Sequence, residues 1–212
     1  MQKLINEAEA WLKSPDSAAG DPEELLAALQ EELGKGKAAG QTLGPLIGKI
    51  KSTQNRLKNI ESINWVTINQ GKLAIGHRPS AKLISDIKLQ GGSHILTLLS
   101  ESEGAKEIEN GTIKEGLKWL WFAMESAEPP TEERLPELKS LFADMAKALE
   151  GKASIYIHCS AGIYRTGMIA YAFLRYLGQS PEIAKDNLRH LRETTWREVG
   201  EKRLLWGERF GE

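Results

Sequence analysis

Over the first 60 residues apolar side chains recur at helical spacing. In LINEAEAWL they fall at Leu4, Ile5, Ala8, Trp11 and Leu12, three and four apart as one face of a helix requires. DPEELLAALQEELG places Asp21 as N-cap, Pro22 in the first helical position, early glutamates, and Gly34 as a stop. GPLIGKIKSTQNRLKNI repeats the apolar spacing at Leu46, Ile47, Ile50, Leu57 and Ile60. Between the second and third helices, GKGKAAGQTLG reads as a flexible connection. It lacks the Gly-Lys-Ser/Thr that would make it a nucleotide-binding loop.

From Asn64 the period shortens. WVTIN and KLAIG are short strands joined at the NQG turn. Residues 81–90 are helical. HILTLL (94–99) and WLWFAM (119–124) are continuous apolar strands, and TEERLPELKSLFADMAKALEG is a helix capped by Gly151. SIYIH (154–158) is a strand, and TGMIAYAFLRYLG is an apolar helix stopping at Gly178. SPEIAKDNLRHLRE opens a helix with Ser180 and Pro181, and a last helix follows. Strands alternating with helices predict an α/β fold, a central mixed and partly parallel sheet flanked by helices. The predicted organisation is a helical N-terminal extension (1–60) and an α/β domain (61–212).

Composition narrows this only slightly. With 41% hydrophobic and 27% charged residues, the 212-residue chain has the balance of a soluble globular protein. A formal net charge of −1 gives no general attraction to nucleic acid or anionic lipid, and no apolar run is long enough to span a membrane. A lone cysteine cannot close an internal disulfide and suits a reducing, cytoplasmic setting.

That cysteine lies in IHCSAGIYRTG (157–167), between a buried strand and an apolar helix. A loop there turns its backbone N–H groups toward a common centre at a helix N-terminus, an anion site by geometry and dipole together. Ser160, Ala161 and Gly162 are small enough for close backbone approach, Gly162 permits positive φ, and Ile163 and Tyr164 complete the cradle. Arg165 offers a planar fork for two phosphate oxygens. The same field acts on Cys159, and cysteines so placed have pKa values of about 3.5 to 7.5, which makes Cys159 a candidate nucleophile.

His158, Cys159, Arg165 and Thr166 match the His-Cys-x5-Arg-Ser/Thr signature, and the chain resembles the cysteine-dependent, dual-specificity-like protein tyrosine phosphatases. The resemblance runs from about Asn64 to about Arg192 and leaves residues 1–60 without a counterpart. It implies a cysteinyl-phosphate intermediate on Cys159, with Arg165 and the amides of residues 160–165 stabilising the transition state. Thr166 would assist the leaving thiolate and His158 would orient the loop. No cofactor or metal is implied. The implied partner is a phosphorylated substrate, most naturally a phosphotyrosine or phosphoserine/threonine protein. No membrane or nucleic-acid partner is expected, and the N-terminal helices are candidates for a protein partner.

Two positions depart from the family pattern. Tyr164 stands where many relatives carry a small residue; it could narrow the entrance, stack on a substrate ring, or simply pack. The family's general acid is an aspartate on a loop before the helix that precedes the signature. Aligned on Pro129 and Pro130, that position here is Ser126, flanked by Glu125 and Glu128. Those two glutamates are the candidate acids, with Glu101 and Glu103 as further ones. The alternatives are a phosphate-binding pseudophosphatase, which the missing aspartate favours, or the same chemistry on a nucleotide, RNA-end or sugar phosphate.

Overall fold

A computed structural model describes residues 1–13, 21–35, 37–58 and 60–211. The chain divides into two compact units, Met1–Ile60 and Glu61–Glu212.

The first unit has three helices, α1 (Gln2–Lys13), α2 (Pro22–Gly34) and α3 (Lys37–Lys58). Asp21 caps α2 as expected, its carboxylate accepting from the Glu23 amide at 2.8 Å. Ala8, Trp11, Leu26, Leu29, Leu43, Ile47 and Ile50 form a closed apolar cluster, so each helix buries one stripe. The connection predicted over residues 34–44 is largely helix, although residue 36 lies outside the described residues. α3 starts at Lys37 and runs through Pro45. Burial of Leu43, with Ala38, Ala39 and Gln41 as good helix formers, outweighs the glycines in that stretch.

The second unit is built on a five-stranded sheet of order β1-β2-β5-β3-β4, comprising β1 (Val66–Ile68), β2 (Gly71–Gly76), β3 (His94–Thr97), β4 (Lys118–Trp121) and β5 (Ser154–His158). β1 and β2 form the antiparallel hairpin expected at NQG, with Asn69 at φ 55° in the turn. The remaining pairs are parallel. β5 is central, and all five of its residues are buried. Strand alternation sends side chains to two cores. Ala74, Ile95 and Tyr156 face α4 (Ala81–Leu89) and α5 (Ala105–Lys114). Leu73, Ile75, Leu96, Ile155 and Ile157 face the larger cluster with Phe142, Met168, Ile169 and Phe173, on α6 (Leu135–Glu150) and α7 (Tyr164–Tyr176). The fold is therefore the mixed sheet flanked by helices that the pattern predicts. Among the described residues no helix is long and apolar enough to cross a membrane.

Several elements differ from expectation. α5 has no predicted counterpart: only Ala105, Ile108 and Thr112 are buried along it, Gly111 is a poor helix former within it, and it starts from Gly104 without a side-chain cap. β4 ends at Trp121, and Phe122 and Met124 are buried in the loop beyond it. Gly151 ends α6 with an ordinary negative φ, and the left-handed residue is Lys152. The predicted last helix is two short ones, α9 (Glu193–Glu198) and α10 (Glu201–Glu208), following α8 (Pro181–Leu191).

Leu29→Ala removes a fully buried side chain and is expected to cost about 2–5 kcal/mol. A core built on 60 residues has little stability in reserve, so loss of helical circular dichroism from this unit is the expected reading.

Candidate active site

Because β2, β3, β4 and β5 are parallel, the loops leaving them open at one edge of the sheet, where ligands of open α/β folds sit. These loops begin at His77, Leu98, Phe122 and Cys159. The loop after β5 wraps the Cys159 sulfur. The Gly162 amide donates to Sγ at 3.2 Å. Burial pushes the thiol up, but the Thr166 hydroxyl and the amides of Thr166, Gly162 and Ile163 outweigh it, and its pKa falls below that of a free thiol. Thr166 Oγ1 is fully buried and has no well-formed hydrogen bond in this state; a negative sulfur gives it an acceptor.

Gly162 sits at φ +73°, and a Cβ there would lie 2.2 Å from the Gly76 carbonyl, so both the turn and the close approach to β2 require glycine. The loop is held from outside through its carbonyls. Arg78 N donates to Ser160 O at 2.9 Å. Arg192 Nη1 donates to the carbonyls of Ala161 and Gly162, both at 3.0 Å. Thr195 Oγ1 donates to Gly162 O at 2.7 Å. With those carbonyls turned outward, the intervening peptide N–H groups are free to point inward.

Arg165 is nearly buried. Its Nη1 donates to Glu103 Oε2 at 2.6 Å and to Met124 O at 2.7 Å, and its Nη2 to Glu103 Oε1 at 2.8 Å. Glu103, with burial opposing, and the nearby Cys159 sulfur raise the Arg165 pKa further. Of the five guanidinium donors, Glu103 and Met124 take three, and the guanidinium also reaches the Cys159 sulfur, where its planar fork suits two oxygens of a phosphoryl group.

Glu103, entertained above as an acid, is excluded from that role. Its bond to Arg165 overcomes partial burial and, with Ser100, lowers its pKa to about 2, so it is a carboxylate throughout the neutral range. Its carbonyl also accepts from Arg78 Nη1 at 2.8 Å. His77 and Arg78 therefore shape the site, and the Tyr156 hydroxyl fixes the His77 carbonyl at 3.1 Å.

His158 is fully buried. Burial, reinforced by Arg78, His77 and Arg165 and opposed by the Cys159 carbonyl, lowers its pKa to about 4. Trp119 Nε1 donates to Thr97 Oγ1 at 2.9 Å, Thr97 Oγ1 stands 2.9 Å from His158 Nε2, and His158 Nδ1 lies 3.1 Å from the Cys159 carbonyl. Only one proton arrangement satisfies this chain: Thr97 donates to Nε2, and a neutral imidazole donates from Nδ1.

The loop after β4 carries the other candidates. Arg134 donates to the Ala123 carbonyl, and Arg203 Nε donates to the Ala127 carbonyl at 2.7 Å. Ser126 Oγ accepts from the Glu128 amide at 3.2 Å. Glu128 is exposed and paired with Lys202 at 2.6 Å, which lowers its pKa. Glu125 is exposed. Tyr164 is 45% exposed at the rim, with the Arg203 guanidinium 4.9 Å from its ring centre. The structure thus gathers His158, Cys159, Ser160–Thr166, Glu103 and the 122–131 loop at one edge. Sequence reasoning missed Thr97, Trp119, Arg192, Thr195 and Arg203. Each acts through a backbone carbonyl, a hydroxyl or an aromatic ring, and none belongs to a spaced motif.

The profile of the tyrosine phosphatase family matches residues 77–197, more than half of the chain, and the protein belongs to that family. Similar solved folds include kinase associated phosphatase with its catalytic-site cysteine substituted by serine (20% identity, TM-score 0.58, covering 70% of this chain and 93% of that one). Tk-PTP in its active form gives 16% identity and TM-score 0.57, covering 70% and 96%. PTPMT1 gives 20% and 0.56, covering 69% and 93%. A comparison with curated protein sequences returned no match.

Two measurements test this electrostatic picture. A histidine whose folded pKa is depressed takes up its proton first in the unfolded state, so its contribution is complete above the ordinary pKa of 6.5 and is lost as pH falls toward about 4. Comparing denaturant midpoints of wild type and His158→Gln, the variant should lack this part of the acid destabilisation. For Glu103, the depressed pKa gives stability present above 4.5 and lost as pH falls toward about 2. Glu103→Gln should be less stable than wild type at pH 7, with the gap closing in acid.

Proposed function

We propose that the protein hydrolyses phosphomonoesters through a cysteinyl-phosphate on Cys159. The observation that carries the reading is the sulfur held by the Gly162, Ile163 and Thr166 amides with the Arg165 guanidinium beside it. In the first step the Cys159 thiolate attacks phosphorus, the P–O ester bond breaks, and the leaving oxygen takes a proton from an acid. The amides of residues 160–165 and Arg165 stabilise the equatorial oxygens. In the second step the carboxylate left by that acid takes a proton from water as the water oxygen attacks phosphorus, the P–S bond breaks with the Thr166 hydroxyl donating a hydrogen bond to the departing thiolate, and inorganic phosphate leaves. Arg165 and the loop amides carry the charge, so the reaction as proposed calls on no metal.

The proton donor is best assigned to Glu125. Glu128 is drawn toward its carboxylate form by Lys202, the wrong form for an acid, and Ser126 cannot protonate a leaving group. Among the described residues no cation pairs with Glu125. The expected substrates are phosphotyrosine or phosphoserine/threonine proteins, because Ser160, Ala161, Ile163 and Tyr164 add no positive charge to the loop for a polyphosphorylated ligand. A second reading, phosphate binding without turnover, is favoured only by Ser126 at the acid position.

Aryl phosphate hydrolysis across pH 5 to 8 separates these readings. Wild type should turn over, Cys159→Ser should not, and Arg165→Lys should lose most activity. Glu125→Gln should lower the rate on a poor leaving group by about 10²- to 10⁴-fold and remove the alkaline limb, while Glu128→Gln should not. A wild type that binds phosphate and never releases it from an ester would leave the binding module. Phosphopeptide, nucleotide, RNA-end and sugar phosphate substrates then rank the class.

A further inference from the structure

α10 is fixed to α7 along its length. Gly207 lies against Tyr171 and Ala172, so that a Cβ there would stand 2.8 Å from the tyrosine ring. Glu208 accepts from the Tyr171 hydroxyl and from Arg175 Nε, the latter at 2.8 Å. α7 itself begins with Tyr164 and Arg165. A side chain in the first turn of α10 therefore stands at a set position relative to the phosphate loop. Arg203 occupies that turn. Its guanidinium makes three contacts at once: Nε to the Ala127 carbonyl (2.7 Å), Nη1 to the Val199 carbonyl of the preceding turn (3.0 Å), and its plane near the Tyr164 ring (4.9 Å).

The loop after β4 is held unevenly. Its base is gripped by two cations, the half-buried Arg134 at Ala123 and the nearly buried Arg165 at Met124. Its tip, where Glu125, Ser126 and Glu128 stand, has two ties among the described residues. The Lys202–Glu128 pair is exposed on both sides, 73% and 63%, and such pairs contribute little. Arg203 is half-buried and uses a charge-assisted bond to a carbonyl, a stronger kind of contact. The stronger of the two ties thus joins the tip to the rim residue Tyr164.

We infer that Arg203 is a positioning residue for proton donation, holding the 125–128 segment over the phosphate loop by gripping Ala127 and Tyr164 together. The inference rests on the function proposed above. Arg203 touches neither the sulfur nor a phosphoryl oxygen. Its removal leaves the thiolate and its cradle intact and impairs only the proton transfer to the leaving oxygen within the first step. The penalty therefore depends on the leaving group, which a general loss of folding would not produce.

The test compares kcat/KM for p-nitrophenyl phosphate, whose leaving group needs little help, with phenyl phosphate, whose leaving group needs a proton. Arg203→Ala should lower the phenyl phosphate rate by about tenfold or more, a part of the full contribution of an acid, with the p-nitrophenyl phosphate rate within about twofold of wild type. The alkaline limb for phenyl phosphate should flatten. Arg203→Gln keeps the aliphatic stem and serves if the alanine variant does not fold; the melting temperature identifies that case. An equal fall on both substrates, or no change in their ratio, overturns the inference while leaving the proposed function standing. A wild type inactive on both overturns the two together.

Discussion

The site depends on one buried cation. Arg165 is the residue through which three separate loops agree on a position: its own, the one after β3 through Glu103, and the one after β4 through Met124. A guanidinium so enclosed is tolerable only because a carboxylate meets it bidentately and a carbonyl accepts a further hydrogen bond. That requirement forces Glu103 to the sheet edge and fixes the beginning of the loop that carries Glu125 and Glu128. Parallel strands bring the loops to the same edge; the arginine turns proximity into register.

Around that cation the loop after β5 is shaped from behind. Arg78, Arg192 and Thr195 take its carbonyls, so the chain need not rely on the loop's own residues to orient its amides. His158 belongs to the same scaffold. Neutral, and wired through Thr97 to Trp119, it secures the Cys159 carbonyl without adding charge near the sulfur. The lowered thiol pKa thus arises from amide dipoles and a hydroxyl, against the opposing effect of burial.

Much of this was legible in the residues. The apolar run SIYIH followed by small residues and Arg165 predicted a buried strand, a turn with positive φ at Gly162 and a helix start, and all three are present. The motif could be read because its residues act at fixed spacing along one segment. Glu103 was visible only as an acidic residue in a loop, since its role is defined by Arg165, 62 residues away. Arg192, Thr195 and Arg203 gave no signal because they bind main-chain atoms, which leave no mark on the partner's identity. α5 escaped for a different reason: one buried position per turn is too narrow a stripe to stand out from a loop.

The two tiers of the site should differ in how they respond to dissolved salt. The contacts around Cys159 and between Arg165 and Glu103 are mostly shielded from solvent, and mobile ions screen buried charges weakly. The Lys202–Glu128 pair at the rim is open to water, where a counter-ion atmosphere about 8 Å deep at physiological ionic strength competes for both partners. Raising ionic strength would therefore dissolve the Lys202–Glu128 pair, leaving Arg203 to hold the loop tip, while the setting of Cys159 stays nearly untouched.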